Sequence, residues 1–246
     1  MISILHTDII FLEELLTMID AMLILACGVI TAMIALNTIL LCLRRIRGSP
    51  KAAMNHSKAV VITGCDSGFG EMTAIHLSSL GYHVVAACLT KDGCDRMKPL
   101  VAKAVMCDIT KEADVEHLTV ETEKLCKAKS FTVWALINNA GIAKGGPLDW
   151  IGLDTYYKVM EVNFFGHVRV TKAFLPLLKQ QKDSRIVNLS SVAGFYCSAN
   201  LSAYGASKHA MEGFMKSVRE ELKPWSIYVS NINPGFMRYC QCTCHY

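Results

Sequence analysis

The apolar positions along the chain fall into two regimes. From Ala21 to Leu43 runs AMLILACGVITAMIALNTILLCL, 23 residues without a charge. That is long enough to cross a hydrocarbon core of about 30 Å as a helix, whereas a buried core helix rarely runs so far without a charged residue. A cleaved leader fits less well, because an acidic segment precedes the stretch and no small-residue cleavage site follows it. Residues 44–58, with Arg, Gly, Ser, Pro and Asn, read as a linker. Beyond them, short apolar runs alternate with helical periodicity. Strands are predicted at Ala59–Thr63, His83–Ala87, Val101–Cys107, Val133–Asn138, Arg185–Leu189 and Ile227–Ile232. Helices are predicted at Gly68–Leu80, Lys111–Lys127, Leu153–Leu178 and Ser202–Leu222. Apolar strands separated by helices imply an α/β domain with a parallel, doubly wound sheet. The predicted organisation is an N-terminal tail 1–20, a transmembrane helix 21–43, a linker 44–58 and an α/β domain 59–246.

Charge changes this picture at the span. Asp8, Glu13, Glu14 and Asp20 precede it, and Arg44, Arg45, Arg47 and Lys51 follow. The positive-inside rule places the domain in the cytosol and the N-terminus in the lumen. The net charge of +4 is spread without a basic stripe, so no nucleic-acid partner is expected. The 11 cysteines lack framework spacing and read as reduced thiols. His83, His167 and His209 lack metal-ligand spacing and read as surface or packing residues.

Candidate chemistry begins where the first strand meets Thr63-Gly64-Cys65-Asp66-Ser67-Gly68-Phe69-Gly70. Glycines between the first strand and first helix of a βαβ series permit a tight turn and close approach to a pyrophosphate at a helix N-terminus. Further on, Tyr204 and Lys208 stand four apart in a helical run, one turn apart on one face. A tyrosine can accept a proton near neutral pH only if its pKa, about 10 when unperturbed, falls toward neutrality. A fall of about three units needs roughly 4 kcal/mol of phenolate stabilisation, which a neighbouring ammonium in a dry cleft supplies.

The segment VVITGCDSGFG resembles the cofactor loop of the short-chain dehydrogenase/reductase superfamily, in its membrane-bound branch of retinol, hydroxysteroid and 3-hydroxybutyrate dehydrogenases. The resemblance covers about Ala59 to Met237 and returns at Asp108-Ile109, Asn138-Asn139-Ala140-Gly141, Glu161-Val162-Asn163-Phe164-Phe165-Gly166, Asn188-Leu189-Ser190-Ser191, Tyr204-Gly205-Ala206-Ser207-Lys208 and Pro234-Gly235. It implies a Rossmann-type fold. It also implies catalytic roles for Ser191, Tyr204, Lys208 and Asn163. Ser191, thirteen residues before Tyr204, would hydrogen-bond the reacting oxygen. Lys208 would also hold the nicotinamide ribose, and Asn163 would anchor a water in a proton relay, the alternative for Asn163 being a helix-capping or core amide. Ser190 has the wrong spacing and reads as structural. Gly64, Ser67, Gly68, Phe69 and Gly70 would bind cofactor. Asp108 and Ile109 match an adenine-edge contact, Asn139, Ala140 and Gly141 a wall beside the cofactor, and Pro234 and Gly235 a segment over the nicotinamide. Family members dimerise through two long helices, here 153–178 and 202–222, so a homodimer is expected. Cys65 and Cys88 match no nucleophile.

Acidic Asp66 in the loop favours NAD over NADP, although the usual ribose-binding acid is missing from the end of the second strand and Lys91 follows it. Phe195 and Tyr196, between Ser191 and Tyr204, suit a flat apolar substrate. The blander reading makes them packing residues. The expected activity is therefore hydride transfer between NAD and a lipophilic alcohol or ketone of the steroid or retinoid class, at the endoplasmic reticulum membrane where branch relatives are anchored. The alternatives are a 3-hydroxybutyrate-type dehydrogenase, or an impaired isoform that binds cofactor or dimerises without turnover. The last arises because the chain departs from the family after Pro234-Gly235. The usual substrate-covering segment, final strand and helix are missing, Tyr239 stands where relatives often have a threonine, and the chain ends Cys240-Gln241-Cys242-Thr243-Cys244-His245-Tyr246. That run lacks a scaffold for metal and reads as an alternative end. An open sheet edge and an uncovered cleft are expected.

Overall fold

The computed structural model describes residues 57–235. The predicted tail and span, residues 44–56 of the linker, Met237, Tyr239 and the cysteine-rich end lie outside the described residues. Among the described residues no helix is long and apolar enough to cross a membrane.

Strand β1 (Lys58–Thr63) leads to helix α1 (Gly68–Ser79), then β2 (His83–Cys88), α2 (Lys91–Met97), β3 (Lys103–Met106), α3 (Glu112–Lys129) and β4 (Thr132–Asn138). A long helical segment follows as α4 (Leu153–Met160), a π-helical turn (Glu161–Gly166) and α5 (His167–Leu178). Then come β5 (Arg185–Leu189), α6 (Ser202–Leu222) and β6 (Tyr228–Ile232). The six strands are parallel, in the order β3-β2-β1-β4-β5-β6. Strand order reverses between β1 and β4, which makes the carboxyl ends there the expected ligand crevice.

Alternate residues of β1 serve two cores. Val61 faces Val115, Leu118, Phe174, Met211 and Met215 on α3, α5 and α6. Val60 and Ile62 face Ala74, Cys94 and Met97 on α1 and α2. Burial on both faces explains the unbroken apolar strands. Over β5 and β6 the second face has no helix among the described residues, and Tyr228 and Ile232 are exposed.

Three details differ from the expectation. Strand β1 begins one residue earlier, at Lys58, inside the predicted linker, where the Ser57 carbonyl accepts from the Thr132 amide at 2.8 Å. Helix α2 was not expected, because Lys91–Met97 has charges and a glycine rather than an apolar stripe. It is held by the Thr90 hydroxyl, which accepts from the Gly93 amide at 3.0 Å. The predicted 153–178 helix carries the π turn at Glu161–Gly166, a feature hydrophobic period does not reveal.

Buried amides fix the register at the crevice end. Asn138 Nδ2 donates to Asn188 Oδ1 at 2.9 Å and to Thr171 Oγ1 at 2.9 Å. Asn188 Nδ2 donates to Asn231 Oδ1 at 3.3 Å. These asparagines are register partners across β4, β5 and β6. Beside them, fully buried His167 donates from Nε2 to the Ala140 carbonyl at 2.6 Å. Its Nδ1 has no hydrogen-bond partner among the described residues. Burial, with the Lys208 ammonium nearby, pushes the imidazole down to about 4.

This predicts a pH effect on stability. Below about 6.5 the unfolded chain binds a proton that folded His167 refuses until about 4. Stability is therefore lost as pH falls through that window and regained as it rises. Between pH 7 and pH 5 the loss is about 2 kcal/mol. Urea denaturation should show the His167→Gln chain losing less stability over this interval by about that amount. Equal losses would remove His167 as the cause.

Candidate functional site

The loop after β1 folds against the loop after β4. Gly64 and Gly68 take left-handed φ values of +71° and +61°. A Cβ on Gly64 would lie 2.7 Å from Ala140 Cα, and one on Gly70 would overlap the Gly64 carbonyl oxygen and the Asn139 amide. The Thr63 hydroxyl accepts from the amides of Asn139 (3.1 Å) and Ala140 (3.2 Å). Asn139 Nδ2 donates to the carbonyls of Thr63 (2.8 Å) and Gly64 (3.0 Å). Asn139 thus ties the two loops together with its side chain. At Gly68, by contrast, a Cβ would meet nothing within 4 Å. Ser67, Gly68 and Phe69 are exposed, and the N-terminus of α1 has no side-chain cap. Open space before uncapped first-turn amides suits an anion, and the cradle fits the pyrophosphate of a dinucleotide.

Asp66 reaches across to the end of β2. Its carboxylate accepts from the Leu89 amide (2.7 Å), the Thr90 amide (2.9 Å) and the Thr90 hydroxyl (2.7 Å). Arg96 donates to the Asp66 carbonyl at 2.7 Å and pairs with Asp92. Asp66 therefore places a carboxylate beside the end of β2, where the strand itself carries no acid. Lys91 is exposed at the start of α2.

Asp108 and Ile109 follow β3. Asp108 Oδ1 accepts from the Thr110 amide (3.0 Å) and hydroxyl (2.7 Å). Ile109 is buried, and a Cβ on Gly166 would lie 2.7 Å from its Cδ1. Its side chain therefore packs on the π turn. Cys65 and Cys88 are buried. Burial pushes the Cys65 thiol above its ordinary range and that of Cys88 to about 12, which suits inert core thiols.

The other expected residues gather at the ends of β5 and β6. Lys208 is 4% exposed, and its ammonium donates to the Leu189 carbonyl at 2.9 Å. It lies 5.6 Å from the centroid of the Tyr204 ring. A Cβ on Gly141 would lie 3.8 Å from Lys208 Nζ and 3.3 Å from Asn163 Oδ1. Burial pushes the ammonium down to about 8, with Glu212 acting in the opposite direction. Asn163, fully buried in the π turn, binds Ile142 twice: Oδ1 accepts from its amide at 2.8 Å and Nδ2 donates to its carbonyl at 2.9 Å. Nδ2 also donates to Ser207 Oγ at 3.0 Å. The Ser191 hydroxyl accepts from the Ala193 amide at 3.1 Å. The Val192 amide donates to the Pro234 carbonyl at 3.0 Å, which brings Pro234-Gly235 beside Ser191. Ser190 is 4% exposed, as expected of a structural residue. Phe195 and Tyr196 are 58% and 73% exposed. Sequence reasoning missed the tethering by Thr63, the reach of Asp66 and the burial of Glu212. Only Asp66 carried a signal, as an acid inside the glycine loop.

A family model described as short chain dehydrogenase matches residues 58–243. The chain is 40% identical over 186 residues to the mitochondrial D-beta-hydroxybutyrate dehydrogenase of Bos taurus, covering 73% of this chain and 54% of that protein. It is 40% identical over 185 residues to estradiol 17-beta-dehydrogenase 2 of Mus musculus, covering 72% and 48%. The chain spans about half the length of the curated relatives it matches. Among solved structures, a short chain dehydrogenase/reductase from Burkholderia phymatum in complex with NAD matches with a TM-score of 0.67 at 28% identity, covering 74% of this chain and 66% of that one.

The close approach at Gly70 predicts that Gly70→Ala weakens dinucleotide binding at least about tenfold, or about 1.4 kcal/mol. Calorimetric titration with NADH checks this, with circular dichroism confirming the fold. Unchanged affinity would remove the cradle role.

Proposed function

The chain belongs to the short chain dehydrogenase family, and from that premise we propose that it transfers a hydride between NAD and a lipophilic alcohol or ketone of the steroid or retinoid class. The observation that carries this reading is the Lys208 ammonium, buried against the Leu189 carbonyl and 5.6 Å from the Tyr204 ring. An ammonium so placed favours the Tyr204 phenolate, which takes the hydroxyl proton of the substrate. Ser191, at the end of β5, offers its hydroxyl to the reacting oxygen. Asn163 holds the loop after β4 at the distance Lys208 requires, and keeps the relay role as a proposal. A nicotinamide ring, when bound, supplies the hydride acceptor. The α1 N-terminus with Gly64, Gly68 and Gly70 would hold the pyrophosphate of the dinucleotide, and Asn139, Ala140 and Gly141 would form the wall beside it.

NAD is favoured over NADP because Asp66 puts a carboxylate at the end of β2 and engages the amides of Leu89 and Thr90. A 2′-phosphate would face that charge without those donors. Exposed Phe195 and Tyr196 support an apolar substrate. A second reading, a short hydroxy acid, is favoured by the 40% identity to the bovine hydroxybutyrate enzyme. Exposed Leu153, Tyr157 and Phe165 on the long helical segment support a homodimer. We place the chain in the endoplasmic reticulum membrane, anchored by 21–43 with the dehydrogenase domain in the cytosol.

Tyr204→Phe should lower turnover of the preferred alcohol by about a hundredfold to ten-thousandfold with the fold intact. Near-normal turnover of the phenylalanine chain would sink the assignment. The same assay with 3-hydroxybutyrate against steroid and retinoid alcohols separates the two substrate readings.

NADH should bind at least about tenfold more tightly than NADPH, and Asp66→Ser should narrow the gap. Calorimetric titration giving the reverse order in the unsubstituted chain would refute the cofactor assignment.

The orientation has an internal reporter. Asn200-Leu201-Ser202 is an acceptor pattern for glycans, and Asn200 is exposed, whereas Asn188 is buried on β5. With a cytosolic domain, endoglycosidase should leave the gel mobility unchanged. A shift that Asn200→Gln abolishes would reverse the topology.

A further inference from the structure

Cations that are spread along the sequence gather at one end of the fold. Parallel strands bring their first residues to one end of the sheet, opposite the crevice. Four strand entries there are bonded to their neighbours. The Thr132 amide donates to the Ser57 carbonyl at 2.8 Å, Thr132 Oγ1 donates to Gln181 Oε1 at 3.2 Å, and the Tyr228 amide donates to the Ser184 carbonyl at 2.9 Å. Lys58 opens β1, and Lys127 and Lys129 lead into β4. Lys179 and Lys182 precede Arg185, which opens β5, and Lys223 leads into β6. Asp183 is the one acid within 57–58, 127–132, 179–185 and 223–228. Aromatic faces hold three of these cations. Arg185 Cζ and Lys58 Nζ lie 4.1 Å and 4.6 Å from the Trp134 ring centroid, and Lys179 Nζ lies 4.1 Å from that of Trp225. A ring positions a cation without cancelling its charge. Lys129 and Lys182 are exposed and make no ion pair among the described residues. Beside them Trp225 and Tyr228 are 49% and 57% exposed. Helix C-termini favour cations, which accounts for Lys127, Lys129 and Lys179. Lys58, Lys182 and Arg185 lie outside the helices and need another reason.

We propose that this basic, aromatic strand-entry face docks on the anionic headgroups of a phospholipid bilayer. The proposal rests on the reading of 21–43 as a membrane anchor. The tether argues for that occupant. The 13 residues 44–56 lie between the uncharged run and Ser57, and a chain of that length spans at most about 45 Å. It enters the domain at Ser57, on this same face, and its Arg44, Arg45, Arg47 and Lys51 carry the same sign of charge. Cations within about 8 Å of an anionic leaflet are attracted to it, and the cytosolic leaflet is the anionic one. Tryptophan and tyrosine suit the headgroup level, where an apolar ring and a polar tip are both accommodated. Docking at the strand entries leaves the crevice at the carboxyl ends open to cofactor.

The test uses the full chain in lipid nanodiscs of phosphatidylcholine alone, or of equal parts phosphatidylcholine and phosphatidylserine. An amine-acylating reagent is added, and the rate at each lysine is read by peptide mass spectrometry. Lys129 and Lys182 should react at least about threefold more slowly in the anionic discs, and about 0.5 M salt should remove the difference. Lys91 and Lys111, exposed near the carboxyl ends of the strands, should react alike in both. Equal rates at Lys129 and Lys182 in the two kinds of disc overturn the proposal. That holds whether both rates are high, from open solvent, or both low, from a second copy covering the face. The anchor reading fails separately, if an alkaline wash strips the chain from liposomes of either composition. The acylation contrast, measured on the chain mixed with those liposomes, then still tests the docking, and equal rates again overturn it.

Discussion

Taking an ammonium out of water is expensive unless its surroundings replace the hydration shell, and Lys208 is almost wholly out of water. Its hydrogen bond to the Leu189 carbonyl requires β5 to end at the height of the second turn of α6. The height of β5 is set in turn by the asparagine series across β4, β5 and β6, where a slip of one residue would break each amide contact. Gly141 borders the ammonium: a Cβ there would press on Asn163 Oδ1 at 3.3 Å and stand in contact with the Lys208 nitrogen at 3.8 Å. Sheet register, strand length and a glycine in a loop all serve one buried charge.

The π turn belongs to the same arrangement. An ordinary helix through Glu161–Gly166 would rotate the residues beyond it by the one residue the turn absorbs. With the turn in place, Asn163 faces the loop after β4 and clamps the Ile142 backbone on both its polar groups. The same residue reaches α6 through Ser207, whose hydroxyl donates to the Tyr204 carbonyl at 2.7 Å. Four residues on, His167 supports the Ala140 carbonyl. Two side chains on one deformed segment thus hold the β4 loop in place, and one of them also steadies the helix that carries Tyr204 and Lys208.

What was legible in the sequence follows from period and spacing. Apolar runs such as AVVIT and helical patterns such as that of 202–222 mark elements whose faces are buried, so the strands and the four longer helices appear close to their expected bounds. The motif positions also fall at strand ends or on α6, where a parallel sheet gathers them. Other features depend on contacts between distant residues. Helix α2 is short and charged and forms through the Thr90 cap. Glu212 looks like any surface acid of an amphipathic helix until Gly194 admits it to the interior. A core amide was one of the readings open for Asn163, but its partners were hidden, since a motif names a residue without saying what both ends of its amide take.

Asp66 shows why a search along one strand was the wrong search. An acid at the end of β2 is sought there because that strand end approaches the adenosine ribose, yet Ala87-Cys88-Leu89-Thr90 contains none. Space needs only the carboxylate, whichever segment carries the residue. The glycine loop places Asp66 beside that end, and Gly93 keeps its position clear, since a Cβ there would overlap the carboxylate. Two backbone amides and a hydroxyl then fix the charge where a mobile surface acid would be screened. The same bonds remove those amides from the donors open to an incoming phosphate. On the proposed reading of NAD, a single side chain thereby adds a repulsive charge and withdraws the attractive partners, and discrimination between two ligands is strongest when both changes act against the same one.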